Sequence, residues 1–287
     1  MEKDQVWFVT GTSSGFGFEI AKAALAHGSK VVATVRKDAE QLAGSLENHP
    51  NLLVVVMDVT EEKEVKEAVK KAVDRFGRID ILVNNAGYGY LGAIEEATDA
   101  EVKHQYNTNV FGVLNVIRAV LPSMRKLRSG HIINVSSLFA FTARPAWALY
   151  GSTKFAIEGI SQGLAAELSP FGIKVTAIEP GLFTTGFLKG DSYRKGEVVI
   201  DDYENSIVGK ARKQAASFHG NQPGDPKKLA GVVMQLANAK NPPLHLPIGR
   251  DSVESYRANA KELAADIDVW EALSVTTDHE KAGKRLS

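Results

Sequence analysis

Cysteine is absent from the 287 residues, which excludes disulfides, zinc-thiolate sites, iron-sulfur clusters and a thiol nucleophile. Net charge is absent as well. Lys+Arg and Asp+Glu each number 34, so the balance gives no argument for nucleic acid or an anionic membrane surface. No apolar run approaches the ~20 residues that cross a bilayer. The start, Met1-Glu2-Lys3-Asp4-Gln5, enters the strand-like Val6–Val9 without the apolar region and cleavage site of a signal peptide. The seven histidines are scattered and offer no helical metal-binding pair, so no metal is expected. No histidine lies in a context resembling a serine-hydrolase triad, which sets a hydrolase aside. A soluble, cytoplasmic protein is the expectation.

What is present is ordinary globular composition, 44% hydrophobic and 24% charged, at a length that one large α/β domain can hold. Short, nearly continuous apolar runs recur at Val6–Val9, Val31–Val35, Leu52–Met57, Ile81–Val83, Ile132–Val135 and Val175–Ile178. Such runs suit strands covered on both faces, as in a parallel sheet. Helical periodicity lies between them at Phe18–Ala26, Glu62–Phe76, Asp99–Arg128 and Leu149–Leu168. The alternation predicts right-handed βαβ units: a single-domain, Rossmann-like doubly wound parallel sheet with helices on both faces, spanning residues 1–287. Thr98-Asp99-Ala100-Glu101 fits a capping box, and Pro122 is expected to kink or end its helix. The sequon Asn134-Val135-Ser136 sits in an apolar strand and is read as a chance match. The pattern loosens between about 188 and 225, which reads as an insertion or substrate lid. A frayed tail is expected from about Ser274.

Four groups of residues suggest chemistry. Thr10-Gly11-Thr12-Ser13-Ser14-Gly15-Phe16-Gly17 joins the first strand to the first helix, where glycines permit a tight turn and the helix N-terminus offers N–H groups to a pyrophosphate. Arg36 and Lys37 close the second strand; Val35 stands where an acid would bind a ribose, and a following arginine would pair with a 2′-phosphate, favouring NADP(H) over NAD(H). Asp58-Val59 and Asn84-Asn85-Ala86-Gly87 fall at carboxyl ends of strands, outlining a groove in which Asp58 could accept from an adenine amino group. Finally, Ser137 ends the fifth strand, and Tyr150 and Lys154 stand one helical turn apart on one face. An ammonium beside a phenol favours phenolate, so Lys154 is expected to lower the Tyr150 pKa and make the tyrosine an acid/base. Ser137 could orient a substrate carbonyl toward it.

The ordered set Thr10-Gly11-x-x-x-Gly15-x-Gly17, Asp58-Val59, Asn84-Asn85-Ala86-Gly87, Asn109, Ser137, Tyr150-x-x-x-Lys154 and Pro180-Gly181 resembles the classical short-chain dehydrogenase/reductase family over roughly residues 5–250. Arg36, Tyr88, Tyr90 and the long C-terminal segment are similar to the 17-beta-hydroxysteroid-dehydrogenase-like reductases within it. The resemblance implies that Tyr150 exchanges the proton, Ser137 binds the reacting oxygen, and Lys154 also holds the nicotinamide ribose. It implies that Asn109 holds a water in a proton relay; Asn107 lies nearby, but the following Val-x-Gly selects Asn109. It further implies that Pro180, Gly181 and Thr184 contact the nicotinamide carboxamide. A homodimer or homotetramer is implied through the helices carrying Asn109 and Tyr150. Thr153 stands where serine is frequent before the lysine.

The expected activity is NADP(H)-dependent interconversion of a ketone or aldehyde and an alcohol. Leu138, Phe139, Phe141, Trp147, Leu182, Phe183 and Phe187 cluster near the catalytic strand ends, with Phe139, Leu182 and Phe187 the chosen contacts for an apolar or aromatic substrate. The alternatives are a catalytically silent NADP(H) sensor and an epimerase or dehydratase of the same family.

Overall fold

The computed structural model describes residues 4–185, 193–217 and 221–279. In chain order these form β1 (Val6–Val9), α1 (Gly15–Ala26), β2 (Lys30–Val35), α2 (Ala39–Ser45), β3 (Leu52–Val56), α3 (Glu62–Phe76), β4 (Ile81–Asn84), β5 (Gly89–Leu91), α4 (Asp99–Tyr106), α5 (Gly112–Leu127), β6 (Gly130–Val135), α6 (Ala148–Leu168), β7 (Ile173–Pro180), β8 (Tyr193–Lys195), α7 (Asp201–Glu204), α8 (Ile207–Ser217), α9 (Pro226–Ala237), β9 (His245–Ile248) and α10 (Arg250–Ser274). Seven strands make one parallel sheet in the order β3-β2-β1-β4-β6-β7-β9. The chain winds outward from β1 to β3, then returns to place β4 on the other side of β1. That reversal opens a crevice at the carboxyl ends of β1 and β4.

The apolar runs are continuous because each strand is buried on both faces. In β1, Trp7 and Val9 pack toward α1 and α9 with Ile20, Ala24 and Val233, while Phe8 packs on the opposite side with Val65, Ala68, Val116 and Ile157 from α3, α5 and α6. Burying each such large side chain stabilises the fold by roughly 1.5–3 kcal/mol. Asn134, of the chance sequon, is fully buried in β6, where Nδ2 donates to Ser161 Oγ at 2.9 Å. No helix among the described residues is long and apolar enough to cross a membrane.

Thr98 caps α4 as expected: its Oγ1 accepts from Glu101 N and Glu101 Oε2 accepts from Thr98 N. Pro122 does not end its helix, because α5 runs through it to Leu127. The long helix is interrupted instead at Asn107–Phe111, a π turn closed by Gly112 N donating to Asn107 O. Periodicity could not reveal this, since one extra residue in a turn leaves the apolar spacing nearly unchanged.

The described residues of the expected lid segment form regular elements. β8 pairs with β5 in a two-stranded parallel sheet, and α7 and α8 follow it.

Candidate active site

The turn after β1 is shaped by contacts that leave no room for side chains. Gly11 adopts φ +68°, and a Cβ there would lie 2.8 Å from Ala86 Cα. One on Gly17 would lie 2.4 Å from Gly11 O and 2.5 Å from Asn85 Nδ2. Asn85 is the clamp: its Nδ2 donates to Thr10 O and Gly11 O, both at 2.9 Å, while its N–H and that of Ala86 donate to Thr10 Oγ1, both at 3.0 Å. The sequence assigned Asn85 to the cofactor; here it visibly holds the turn. Among the described residues, the atom nearest the notional Cβ of Gly15, at φ +60°, is Thr185 Cβ at 3.6 Å, and the exposed Ser14 makes no side-chain cap on α1. An open glycine at an uncapped helix start, beside exposed Ser13, fits a phosphate.

Arg36 and Lys37 are exposed after β2, whose last residue, Val35, is buried. Asp58 Oδ1 accepts from Thr60 N at 2.9 Å and Thr60 Oγ1 at 2.8 Å, so this oxygen organises its own turn. Val59 is buried, packing so closely on Gly112 that a Cβ there would meet Val59 Cγ2 at 2.6 Å. Phe16 packs edge-on against Phe183, ring centroids 5.2 Å apart.

At the carboxyl ends of β6 and β7, Ser137, Tyr150 and Lys154 converge as the sequence predicts. Ser137 Oγ caps a short 3-10 turn by accepting from Phe139 N at 3.2 Å, and its hydroxyl is also hydrogen-bonded to the Tyr150 side chain. Lys154 Nζ lies 5.7 Å from the Tyr150 ring centroid and donates to Val135 O at 2.8 Å. Burial pushes the Tyr150 phenol up to about 12, with the Ser137 hydrogen bond pulling down. Burial also pushes Lys154 down to about 8, and the Glu158 carboxylate pulls it up. The expectation that Lys154 depresses the tyrosine is therefore corrected for this arrangement: desolvation dominates the phenol, and the pull downward comes from the Ser137 hydrogen bond.

Asn109, not the exposed Asn107, is buried at the site. Its Oδ1 accepts from Tyr88 N at 3.1 Å, and its Nδ2 donates to Tyr88 O at 2.9 Å and Thr153 Oγ1 at 3.1 Å. The π turn places it there, and a Cβ on Gly87 would lie 3.1 Å from Asn109 Oδ1 and 3.9 Å from Lys154 Nζ. Gly87 thus leaves the approach to the lysine open. Pro180 and Gly181 are fixed from α10: Asp251 Oδ2 accepts from Leu182 N at 2.7 Å, and Asp251 Oδ1 would lie 2.0 Å from a Gly181 Cβ. Thr184 Oγ1 donates to Gln222 O at 2.8 Å.

Residues 5–195 match the short chain dehydrogenase family. The chain belongs to that family. It is 38% identical over 275 residues to oxidoreductase BOA17 of Botryotinia fuckeliana, covering 95% of this chain and 99% of that one. It is 38% identical over 249 residues to the 3-ketodihydrosphingosine reductase of Bacteroides thetaiotaomicron, covering 85% and 88%. A short-chain dehydrogenase from Streptomyces avermitilis superposes with TM-score 0.89 at 36% identity, over 97% of this chain and 100% of that structure. More distant structures hold nicotinamide cofactors: ElxO with NADP (TM-score 0.72, 29% identity, 88% of this chain and 100% of ElxO), and a 3-ketoacyl-(acyl-carrier-protein) reductase from Brucella melitensis with NADH (0.72, 29%, 86% and 97%). This short-chain dehydrogenase is an oxidoreductase whose structural neighbours bind either nucleotide.

Beside Tyr150 the dehydrogenase has an aromatic wall. Phe139 stacks on Trp147 at 5.4 Å, and both meet Tyr150 edge-on, at 6.1 and 6.0 Å. Tyr193 of β8 stands 6.5 Å from Trp147, and Leu182, Tyr203 and Val208 pack against the same cluster. Ala146, at φ +67°, turns the chain into this wall, and its carbonyl accepts Gly92 N–H at 2.9 Å. Two aromatics of the expected pocket go elsewhere. Phe183 joins the core under α1 and α9, and Phe141 packs on Tyr256 of α10 at 4.6 Å. Phe187 lies outside the described residues. Tyr193 escaped the sequence reading because only the β5–β8 pairing, across about 100 residues, brings it here.

A trio behind Lys154, two buried acids and a half-buried histidine, was also missed. Glu158, one turn along α6, Glu179 of β7 and His245 of β9 present ligand atoms within 4.8 Å of one another. His245 Nδ1 lies 2.8 Å from Glu158 Oε2 and 3.2 Å from Glu179 Oε1. Burial and the Glu158 charge push the Glu179 carboxyl up to about 9, so Glu179 holds its proton at neutral pH. The sequence signal is an acid, Glu179, at the end of the apolar run Val175–Ile178 of β7.

Proposed function

We propose that this dehydrogenase is an NADP(H)-dependent carbonyl reductase acting on an apolar or aromatic ketone or aldehyde. The observation that carries the reading is the convergence of Ser137, Tyr150 and Lys154 beside the open glycine turn and against the aromatic wall. The nicotinamide cofactor, when bound, supplies the hydride. Ser137 donates a hydrogen bond to the carbonyl oxygen, so negative charge developing there is stabilised. Tyr150 delivers the proton to that oxygen, and the Lys154 ammonium stabilises the phenolate left behind. Cofactor preference rests on the exposed Arg36 after a buried valine, a cation where a 2′-phosphate would sit. The wall of Phe139, Trp147 and Leu182, and a relative named for reducing 3-ketodihydrosphingosine, support an apolar ketone.

A panel of ketones, aldehydes and alcohols with NADPH and NADH tests the reading. Tyr150→Phe is expected to keep its fold and NADPH affinity while losing at least ~100-fold in turnover; a folded variant with undiminished activity would remove Tyr150 from the chemistry. Arg36→Ala is expected to weaken NADPH binding roughly 10- to 100-fold, the worth of a charge-assisted hydrogen bond, and to leave NADH nearly unchanged. Equal losses for both nucleotides would refute the 2′-phosphate role.

A further inference from the structure

The first part of α10 is anchored: Ser252 is fully buried and its Oγ donates to Glu179 O at 2.7 Å, and Tyr256 packs on Phe141. Beyond it the helix leaves the body. Every residue from Lys261 to His279 is exposed, and the helical part to Ser274 projects roughly 21 Å at 1.5 Å per residue. A single helix of that length is marginal in water, yet this one bears Leu263, Ile267, Trp270 and Leu273 at 55%, 64%, 62% and 61% exposure.

The spacing of the apolar residues identifies what covers them. Tyr256, Ala260, Leu263, Ile267, Trp270 and Ser274 follow one another at intervals of four and three, the seam of a helix that packs against another helix. No described helix of the same chain covers these residues. The seam is also self-complementary. In an antiparallel pair with Leu263 facing Ile267 of the partner subunit, small Ala260 faces the partner's Trp270. The same register sets Arg257 beside the partner's Glu271, twice by symmetry. One pair disagrees: Asp266 lies beside the partner's Asp266 near the two-fold axis.

We propose that the C-terminal half of α10 is a dimerisation arm that pairs antiparallel with the same arm of a second copy. This contact is separate from the helices around Asn109 and Tyr150, where family resemblance places subunit contacts, and does not depend on the proposed activity. A seam this short buries on the order of 1,000 Å², at the low end of specific interfaces, so association should vary with concentration.

The test is particle mass by light scattering coupled to gel filtration, over a concentration series of the full chain, with circular dichroism to verify folding. Ile267→Glu and Trp270→Glu are expected to give particles of half the wild-type mass. Arg257→Glu and Glu271→Arg should each weaken association about three- to tenfold, and the double reversal should restore it. Asp266→Asn should tighten it. Unchanged mass in both seam variants overturns the proposal. Loss of mass in the seam variants without rescue by the double reversal overturns it too, because the arm would then be seated on another surface.

Discussion

With burial drawing the Lys154 pKa down to about 8 and Glu158 drawing it up, the charge on this lysine at working pH depends on a residue that never faces the substrate. The negative charge beside Lys154 is that of Glu158, because the neighbouring Glu179, pushed up to about 9, keeps its proton. Glu158→Gln removes the nearby negative charge, so Lys154 loses its proton at lower pH. The alkaline limb of kcat/KM for carbonyl reduction is expected to move toward acid, with activity above the limb falling about tenfold per unit of displacement. Little should change well below it. Glu179→Gln resembles the protonated acid already present and should leave the limb in place, so equal profiles for the two variants would contradict this division of labour. Stability has a separate sign. Because the folded Glu179 pKa lies above its unfolded value, the folded state binds the extra proton, and this contribution is full below about pH 4.5 and lost as pH rises through about 9. Thermal unfolding of Glu179→Gln should lack that decline, measurable as a wild-type-minus-variant stability difference that falls steadily from pH 5 to pH 9.

Among elements, the turn between β1 and α1 depends on the absence of two side chains. Gly17→Ala puts a methyl 2.4 Å from Gly11 O, backbone that cannot move without breaking the Asn85 clamp. A loss of 1–3 kcal/mol in stability is expected from the overpacking, with cofactor affinity falling in parallel. Gly44→Ala is the control: it lies inside α2 with nothing within 4 Å of its notional Cβ, so Ala should stabilise by about 0.5–1 kcal/mol. Urea unfolding of the two variants decides between a special turn and a general glycine effect. The six long strands and the order of the site motifs were legible because burial on both faces writes continuous Val, Ile and Leu runs, and because turn and catalytic residues follow strand ends at short range. β5 and β8 were not legible, since three residues carry no period and their pairing is distant in sequence. Nor was the π turn that buries Asn109, or the meeting of Glu158, Glu179 and His245. Phe183 and Phe139 look alike in the sequence, and only tertiary packing sends one to the core and the other to the wall.

Across the whole molecule, the segment carrying β8, α7 and α8 is joined to the body through Glu96. This carboxylate is almost fully buried in the loop after β5 and accepts from Ala93 N at 2.8 Å, Ile200 N at 3.0 Å and the Arg212 guanidinium. Burial alone would raise its pKa, but the two N–H groups and Arg212 more than offset that and hold it below the usual range. Arg212 also reaches Glu204 at 2.8 Å, and Tyr203 OH donates to Glu95 at 2.9 Å. Tyr193, Tyr203 and Val208 on this segment pack against the Phe139–Trp147–Tyr150 wall, so its docking covers the wall that the proposed apolar substrate would meet. Arg212→Met strands the Glu96 charge, and breaking such a buried pair costs about 3–5 kcal/mol, unless the segment undocks at lower cost and hydrates the carboxylate. Undocking is the expected outcome. Proteolysis between residues 193 and 217 should accelerate at least ~10-fold, KM for bulky apolar ketones should rise, and NADPH affinity should stay unchanged. If cleavage and KM match the wild type while the melting temperature falls, Glu96 supports the body alone and the pocket does not depend on this anchor.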